Sequence, residues 1–293
     1  MDSQNTQSEQ TEFRYIDGRR FHNVETSMYH LPNDDNETNR LHLQHFLIRY
    51  LYQSNFSAPV NQILSKPGAK VLDVGCGAAS WSFDIATTYP LAKVIGLDIS
   101  PYQSTMIKPK NFEFVKGNVQ ERLPFDDNTF DFVFQRYLLF GITKEKWPHV
   151  VNELVRVLRP GGFLELCEPS GPFEAGPITK RFWDCESEIL EERGCDFDLY
   201  QKIEEYARNQ GQLENNKKES KRCYYGTVYN NVEFNKAVLN NLNYAYASLK
   251  PILSKKLQVS DEEYDELAKI SEKESVEHNT YYHIVRVYAS KVI

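Results

Sequence analysis

Along this chain short apolar runs broken by glycine alternate with longer stretches whose apolar residues recur every three to four positions, the spacing of one helix face. Asn33-Asp34-Asp35-Asn36-Glu37 offers helix-capping side chains, and Leu41, His45, Ile48 and Tyr52 follow at helical spacing. Phe46, Leu47 and Leu51 widen the stripe, which predicts a helix from about 36 to 53. After Pro67-Gly68, Lys70-Val71-Leu72-Asp73-Val74 is short, β-branched and stopped by Gly75, so it predicts a buried strand. A helix over 80–89, carrying Trp81, Ile85 and Ala86, ends at Pro90, and 92–97 is a second apolar strand closing on Asp98. Strands over 112–117, 130–135 and 162–167, with a helix over 144–157, repeat the pattern. Such alternation predicts an α/β fold around a parallel, doubly wound sheet with helices on both faces.

Beyond Pro172 the rhythm changes. Helices are predicted over 180–193, 199–210, 232–249 and 260–277, a strand over 221–229 and a closing strand over 280–289. With no internal repeat and no Gly/Ser linker, helical insertions at about 172–215 and 232–277 decorate one main domain, 58–293. An N-terminal segment covers 13–57, and residues 1–12, with almost nothing to bury, are expected to be disordered.

At 293 residues, 41% apolar and 26% charged, the chain has an ordinary globular composition, which excludes collagen-like, low-complexity and largely disordered readings. The formal charge of −7 argues against nucleic acid as a partner, because a duplex-binding surface needs clustered cations. No run reaches the roughly 18 apolar residues of a membrane span, and the polar N-terminus lacks a signal pattern. These features predict a soluble, cytoplasmic protein with no membrane partner. The basic cluster Lys217-Lys218 and Lys221-Arg222 reads as a solvated face or a nuclear address. Five cysteines without a C-x-x-C pair argue against disulfides and structural zinc, and His42 and His45 lack the further ligands of a metal site.

Candidate chemistry lies between the first main strand and its helix, in Asp73-Val74-Gly75-Cys76-Gly77-Ala78-Ala79-Ser80. Glycines there let the backbone turn tightly and a ligand approach closely. Asp98 follows 21 residues after Gly77, at the end of the second strand, where a carboxylate accepts both hydroxyls of a ribose. Asp73 stands where a dinucleotide pyrophosphate would be repelled but an ammonium and a sulfonium would not, and Ser80 replaces the third glycine of the dinucleotide fingerprint. S-adenosylmethionine suits this pattern better than NAD.

Val71-Leu72-Asp73-Val74-Gly75-Cys76-Gly77, Gly96-Leu97-Asp98-Ile99-Ser100, Leu123-Pro124-Phe125-Asp126 through Asp131, and Val157-Leu158-Arg159-Pro160-Gly161-Gly162 stand in the order found in class I methyltransferases. The stretch from 66 to 168 resembles that family, and 281–290 resembles its antiparallel last strand. Upstream, Tyr29-His30-Leu31-Pro32-Asn33-Asp34 with Glu37, Arg40, Leu41, Gln44 and His45 is similar to the entry segment of fungal methyltransferases related to the LaeA secondary-metabolism regulator. The resemblance implies S-adenosylmethionine as cofactor and an N-terminal lid that brings Tyr29 near it. It assigns Asp73, Gly75 and Gly77 to the methionine end, Asp98 to the ribose and Ile99 to the adenine face. Asn118 and Val119 would read the adenine edge, and Gln135 would lie beneath the methionine moiety. Against this, Asn118 also suits a turn cap, and Gln135-Arg136 a solvated strand end.

A sulfonium is already a strong electrophile, so holding a nucleophile in line, worth up to ~7–11 kcal/mol, is the main task; a general base adds ~10²–10⁴-fold for an alcohol or phenol. No catalytic residue is assigned. Glu168, just past the fifth strand of the main sheet, is the best-placed candidate base and reads equally as the start of a solvated loop; His149 reads as structural. Phe182, Trp183, Tyr200, Tyr206, Tyr244 and Tyr246 in the insertions fit either an acceptor pocket or a helical core. The leading expectation is methyl transfer to a small molecule. A regulatory protein acting through protein partners and a protein methyltransferase are the alternatives.

Overall fold

The computed structural model describes residues 13–16, 18–23, 31–100, 107–228 and 231–293. An antiparallel ribbon of β1 (Phe13–Ile16) and β2 (Arg19–His22) precedes helix α1 (Asp35–Tyr52) and the short α2 (Asn61–Leu64). Then come β3 (Lys70–Val74), α3 (Ser80–Thr88), β4 (Lys93–Asp98), β5 (Phe112–Lys116) and β6 (Phe130–Arg136). After a 3-10 turn over Lys144–Lys146 follow α4 (Trp147–Val157), β7 (Leu158–Phe173), α5 (Pro177–Glu192), α6 (Leu199–Asn209) and β8 (Leu213–Tyr224). The chain closes with α7 (Val232–Leu257), α8 (Asp261–Glu277) and β9 (Tyr281–Lys291).

Seven strands form one sheet in the order β5-β4-β3-β6-β7-β9-β8. The β3 to β7 ladders are parallel, and β9 runs antiparallel to both neighbours, β7 and β8. Because β3 is buried from Val71 to Val74, it is covered on both faces, as its unbroken apolar run requires. Strand alternation sends Leu72, Val133 and Leu166 into a core shared with α4 and α6, and Val71, Phe132 and Phe134 into one shared with α1 and α3. On the second face Trp81 stacks on Phe134 at 4.0 Å. Strand order reverses between β3 and β6, which opens a crevice beyond their carboxyl ends.

Three segments differ from expectation. The strand expected over 221–229 is β8, which begins at Leu213 and ends at Tyr224. Its exposed polar residues hide it from any test of apolar alternation; backbone pairing to β9 holds it. Helix α7 runs on to Leu257, past Pro251. The last strand reaches Lys291, whose ammonium donates to the carbonyls of Val155 and Leu158 at 2.8 Å each. Among the described residues no helix is long and apolar enough to cross a membrane.

Helices α5, α7 and α8 pack through Phe182, Ile189, Tyr246, Leu249, Leu253 and Tyr264, which also enclose Leu31. Helix α1 is tied to this layer through Glu37, which pairs with Arg40 of its own helix at 2.6 Å and accepts from Ser248 of α7 at 2.8 Å. It is pinned to the sheet by Arg286 of β9, which is 1% exposed, stacks over Tyr52 at 3.8 Å and lies 3.5 Å from Glu165. Glu165 also accepts the backbone N–H groups of Ser57 and Ala58, both at 2.7 Å. Burial pushes the Glu165 carboxyl up to about 7, with the Arg286 charge and these amides opposing.

Removing the cation from this pair strands a carboxylate in the core, so Arg286→Met is expected to lower unfolding stability by about 3–5 kcal/mol in urea titrations. Adding Glu165→Gln should restore much of that loss; a double variant as unstable as the single one would show that the stranded carboxylate is not the source of the loss.

Candidate active site

Asp73, Asp98, Gly117 and Arg136 stand at or just beyond the carboxyl ends of β3, β4, β5 and β6, and together they line a cavity of about 140 Å³ in the crevice. The glycine turn forms its floor. Gly75 and Gly77 have φ of +69° and +51°, which favours glycine, and a Cβ at Gly75 would run into the Leu138 side chain. Gly75 and Cys76 donate to the Leu97 carbonyl at 2.8 and 3.1 Å, which folds the turn over β4.

Asp98 organises the rim. Its carboxylate accepts the N–H of Gly77 at 2.9 Å and of Ser100 at 3.0 Å. Burial raises its pKa, and these amides with that of Ile99 oppose the rise. A carboxylate accepts about four hydrogen bonds, so these contacts leave capacity for a ligand's hydroxyl. Asp73, 4% exposed, accepts from Ser82 Oγ at 2.6 Å; burial pushes its carboxyl up to about 6, with Ser82 and Arg136 opposing.

Of the residues singled out in the sequence, Asp73, Gly75, Gly77, Asp98, Ile99, Asn118 and Val119 all line this cavity. Asn118 is also committed to its own loop: its carboxamide oxygen accepts from Gln120 N at 3.0 Å and its nitrogen donates to Glu121 at 3.2 Å. Tyr29 lies outside the described residues. Gln135 is not brought to the cavity. It is fully buried and donates to Glu168. Glu168 in turn is no solvated loop residue and no base facing a ligand: it is 0% exposed and accepts the N–H groups of Leu138 at 2.9 Å and Leu139 at 3.3 Å. Its carboxyl is pushed up to about 7 by burial, with these donors opposing.

Strand alternation turns Arg136 the other way from Gln135, into the cavity, where it makes no hydrogen bond or ion pair among the described residues. Burial lowers its pKa, with the nearby Cys167 and Asp73 opposing. Sequence reasoning passed over it as a strand-end residue; the period of two along β6 was the available signal. From the N-terminal segment His22, Asn33, Leu41 and Gln44 complete the wall, and Asn33 donates to Ser100 Oγ at 3.0 Å.

A second cavity, of about 190 Å³, shares Leu41, Gln44 and Tyr137 with the first and opens between α5, α7 and β9. Phe182, Trp183, Leu242, Tyr246 and Leu249 line it. Of the aromatic residues picked out in the insertions, Phe182, Trp183 and Tyr246 reach it, whereas Tyr200 and Tyr206 pack against the core beside α6.

Residues 71–162 match the family model of a methyltransferase domain. The methyltransferase pytC of Aspergillus terreus is 35% identical over 158 residues, which is 53% of this chain and 46% of that protein. The protein-methionine methyltransferase laeA of Emericella nidulans is 31% identical over 172 residues, 55% of this chain and 42% of that one. The chain therefore spans less than half the length of these relatives. Phosphoethanolamine N-methyltransferase 2 of Haemonchus contortus, solved with phosphomonomethylethanolamine and S-adenosylhomocysteine, shares the fold at a TM-score of 0.50 and 18% identity, over 94% of this chain and 62% of that one. With a glycine turn after β3, a carboxylate ending β4 and an antiparallel β9 inside the sheet, the chain has the class I methyltransferase fold, and its residues 71–162 match a methyltransferase domain.

Proposed function

We propose that the chain transfers a methyl group from S-adenosylmethionine to a small-molecule acceptor. The observation that carries this reading is the pair of cavities meeting at Leu41, Gln44 and Tyr137, one bearing Asp73, Asp98 and Arg136 at the strand ends, the other lined mainly by aliphatic and aromatic side chains. Two carboxylates, Asp73 and Asp98, and one guanidinium, Arg136, give the first cavity a net charge of −1 when all are ionised. A ligand carrying a sulfonium, an ammonium and a carboxylate has the complementary charge.

Bound there, S-adenosylmethionine supplies an electrophilic methyl group. Asp98 would hold the ribose hydroxyls, Asp73 the ammonium, and Arg136, which has no protein partner among the described residues, the carboxylate. The glycine turn lets the backbone lie against the ligand without a Cβ between them. Neither Glu168 nor Gln135 enters this scheme, since neither lines the cavity and Gln135 donates to Glu168 within the core. The aromatic cavity next to the first favours a small acceptor over a protein segment, which would need an open groove.

Asp98→Ala is expected to weaken S-adenosylmethionine binding by at least roughly ten-fold, since a lost hydrogen bond to a charged group is worth about 1.5–3 kcal/mol. Calorimetric titration checks this, and unchanged binding would place the nucleoside elsewhere. Arg136→Met should weaken S-adenosylmethionine while sparing adenosine, which has no carboxylate; equal losses for both would remove Arg136 from the amino-acid end.

Binding should also depend on pH. Asp73 titrates at about 6, and a cationic ligand favours its ionised form, so affinity is held above pH 7 and falls as pH drops through 6. By pH 5 the loss should approach roughly ten-fold, since only about a tenth of the carboxyl remains ionised. Asp73→Asn should flatten that profile, and a profile that stays steep in the variant would assign the proton to another group.

A further inference from the structure

Three polar groups in the second cavity have no hydrogen-bond partner among the described residues. The carboxyl of Glu186, on α5 and 8% exposed, makes no hydrogen bond or ion pair among the described residues. The Tyr137 hydroxyl and the Asn241 carboxamide oxygen are buried and unsatisfied as well. The rest of the lining is largely aliphatic and aromatic, and the volume of about 190 Å³ far exceeds the roughly 10–15 Å³ that one water needs. Buried polar groups are almost always hydrogen-bonded, so three orphans facing one apolar space mark where a ligand brings partners.

Glu186 differs from the other buried carboxyls of the chain. Asp98, Glu165 and Glu168 each accept two backbone amides, which fix their orientation. Around Glu186 the cation whose charge is felt is Arg40, which is held by Glu37 through contacts of 2.9 and 2.6 Å. Burial pushes the Glu186 carboxyl up to about 7, with Arg40 opposing. Near neutrality it therefore serves as hydrogen-bond acceptor or donor without a fixed protein commitment.

Resting on the methyl-transfer reading above, we propose that this second cavity seats an apolar, ring-bearing acceptor whose neutral hydroxyl, a phenol or an enol, hydrogen-bonds to Glu186, with Tyr137 and Asn241 meeting a second polar atom on the same molecule. Phe182, Trp183 and Tyr246 present ring faces and edges to such a molecule. An anionic acceptor would meet the Glu186 carboxylate, since Arg40 already has Glu37. An ammonium would lose its hydration against apolar walls, a far larger penalty than a hydroxyl pays.

The probe is 2-naphthol, with 2-methoxynaphthalene as the same ring system lacking the donor and 1-naphthylmethylammonium as the cationic counterpart, each titrated by fluorescence into the full chain with and without S-adenosylhomocysteine. One 2-naphthol is expected per chain, bound at least ten-fold more tightly than either comparator. Glu186→Leu should abolish that preference and leave the affinity for S-adenosylhomocysteine unchanged. Leu249→Trp, which fills the cavity, should abolish binding of all three naphthalenes. Equal binding of 2-naphthol and 2-methoxynaphthalene to the wild-type chain, tighter binding of the ammonium, or 2-naphthol binding that survives Leu249→Trp would each overturn the proposal. The comparison on the wild-type chain needs no variant to fold. Failure of S-adenosylhomocysteine to bind, with the naphthol preference intact, would instead remove the cofactor reading alone.

Discussion

Glu168 fixes the turn on which both cavities depend. Residue Tyr137 leaves β6 with a φ of +57°, a left-handed conformation that costs a non-glycine residue roughly 1–2 kcal/mol. The turn persists because it is tied down from β7: Tyr137 N–H donates to the Cys167 carbonyl at 3.0 Å, and Leu138 and Leu139 donate to the Glu168 carboxyl. Hydrogen bonds to a charged acceptor are worth about 1.5–3 kcal/mol each, so two of them offset the strain. As a result Tyr137 stands as a wall between the cavities, and Leu138 lies where only a glycine at 75 leaves it room.

The same device recurs wherever the chain must hold an irregular segment against the sheet. Asp98 clamps the glycine turn, Glu165 clamps the segment after α1, and Glu153 accepts Leu123 N–H at 2.9 Å while Arg156 donates to it. Loops over open strand ends expose backbone donors that β-ladders cannot satisfy, and a buried carboxylate satisfies two at once. Glu186 stands apart from these: it is buried and accepts no hydrogen bond among the described residues. A carboxyl whose desolvation is not compensated by the fold is where a ligand's contribution would be felt most.

Much of this was legible in the sequence, because the parallel strands are short apolar runs between glycines and the turn after β3 has its own spelling. Asp73 and Asp98 could be placed from spacing alone. Glu168 could not: a Glu-Pro step after an apolar strand reads as a loop start, and only the path of residues 137–139, set by a left-handed tyrosine, makes it a clamp. Gln135 and Arg136 exchange their expected standing for a similar reason, since one residue of strand register decides which side chain enters the crevice and which enters the core. The first two thirds of strand β8 escaped because an edge strand rich in Lys, Glu and Asn carries no apolar alternation, and charge along an edge also discourages pairing with another chain.

The segment that matches the methyltransferase domain, 71–162, holds the strand ends and turns of the first cavity, whereas α5, α7 and β9, which build most of the second, lie beyond it. This division has a physical basis. The first cavity is made of backbone geometry at the ends of a rigid sheet, where a change at Gly75 collides with Leu138 and a change at Asp98 releases the turn. The second is made of side chains on helices, where one large residue exchanges for another at modest cost provided that volume is kept. A fold of this kind can hold its cofactor chemistry constant while its acceptor changes. If the second cavity seats the acceptor as proposed, the polar residues set into its helical walls, Glu186 and Asn241 foremost, would select it, and the walls shared with the first cavity are where a substitution would disturb both ligands together.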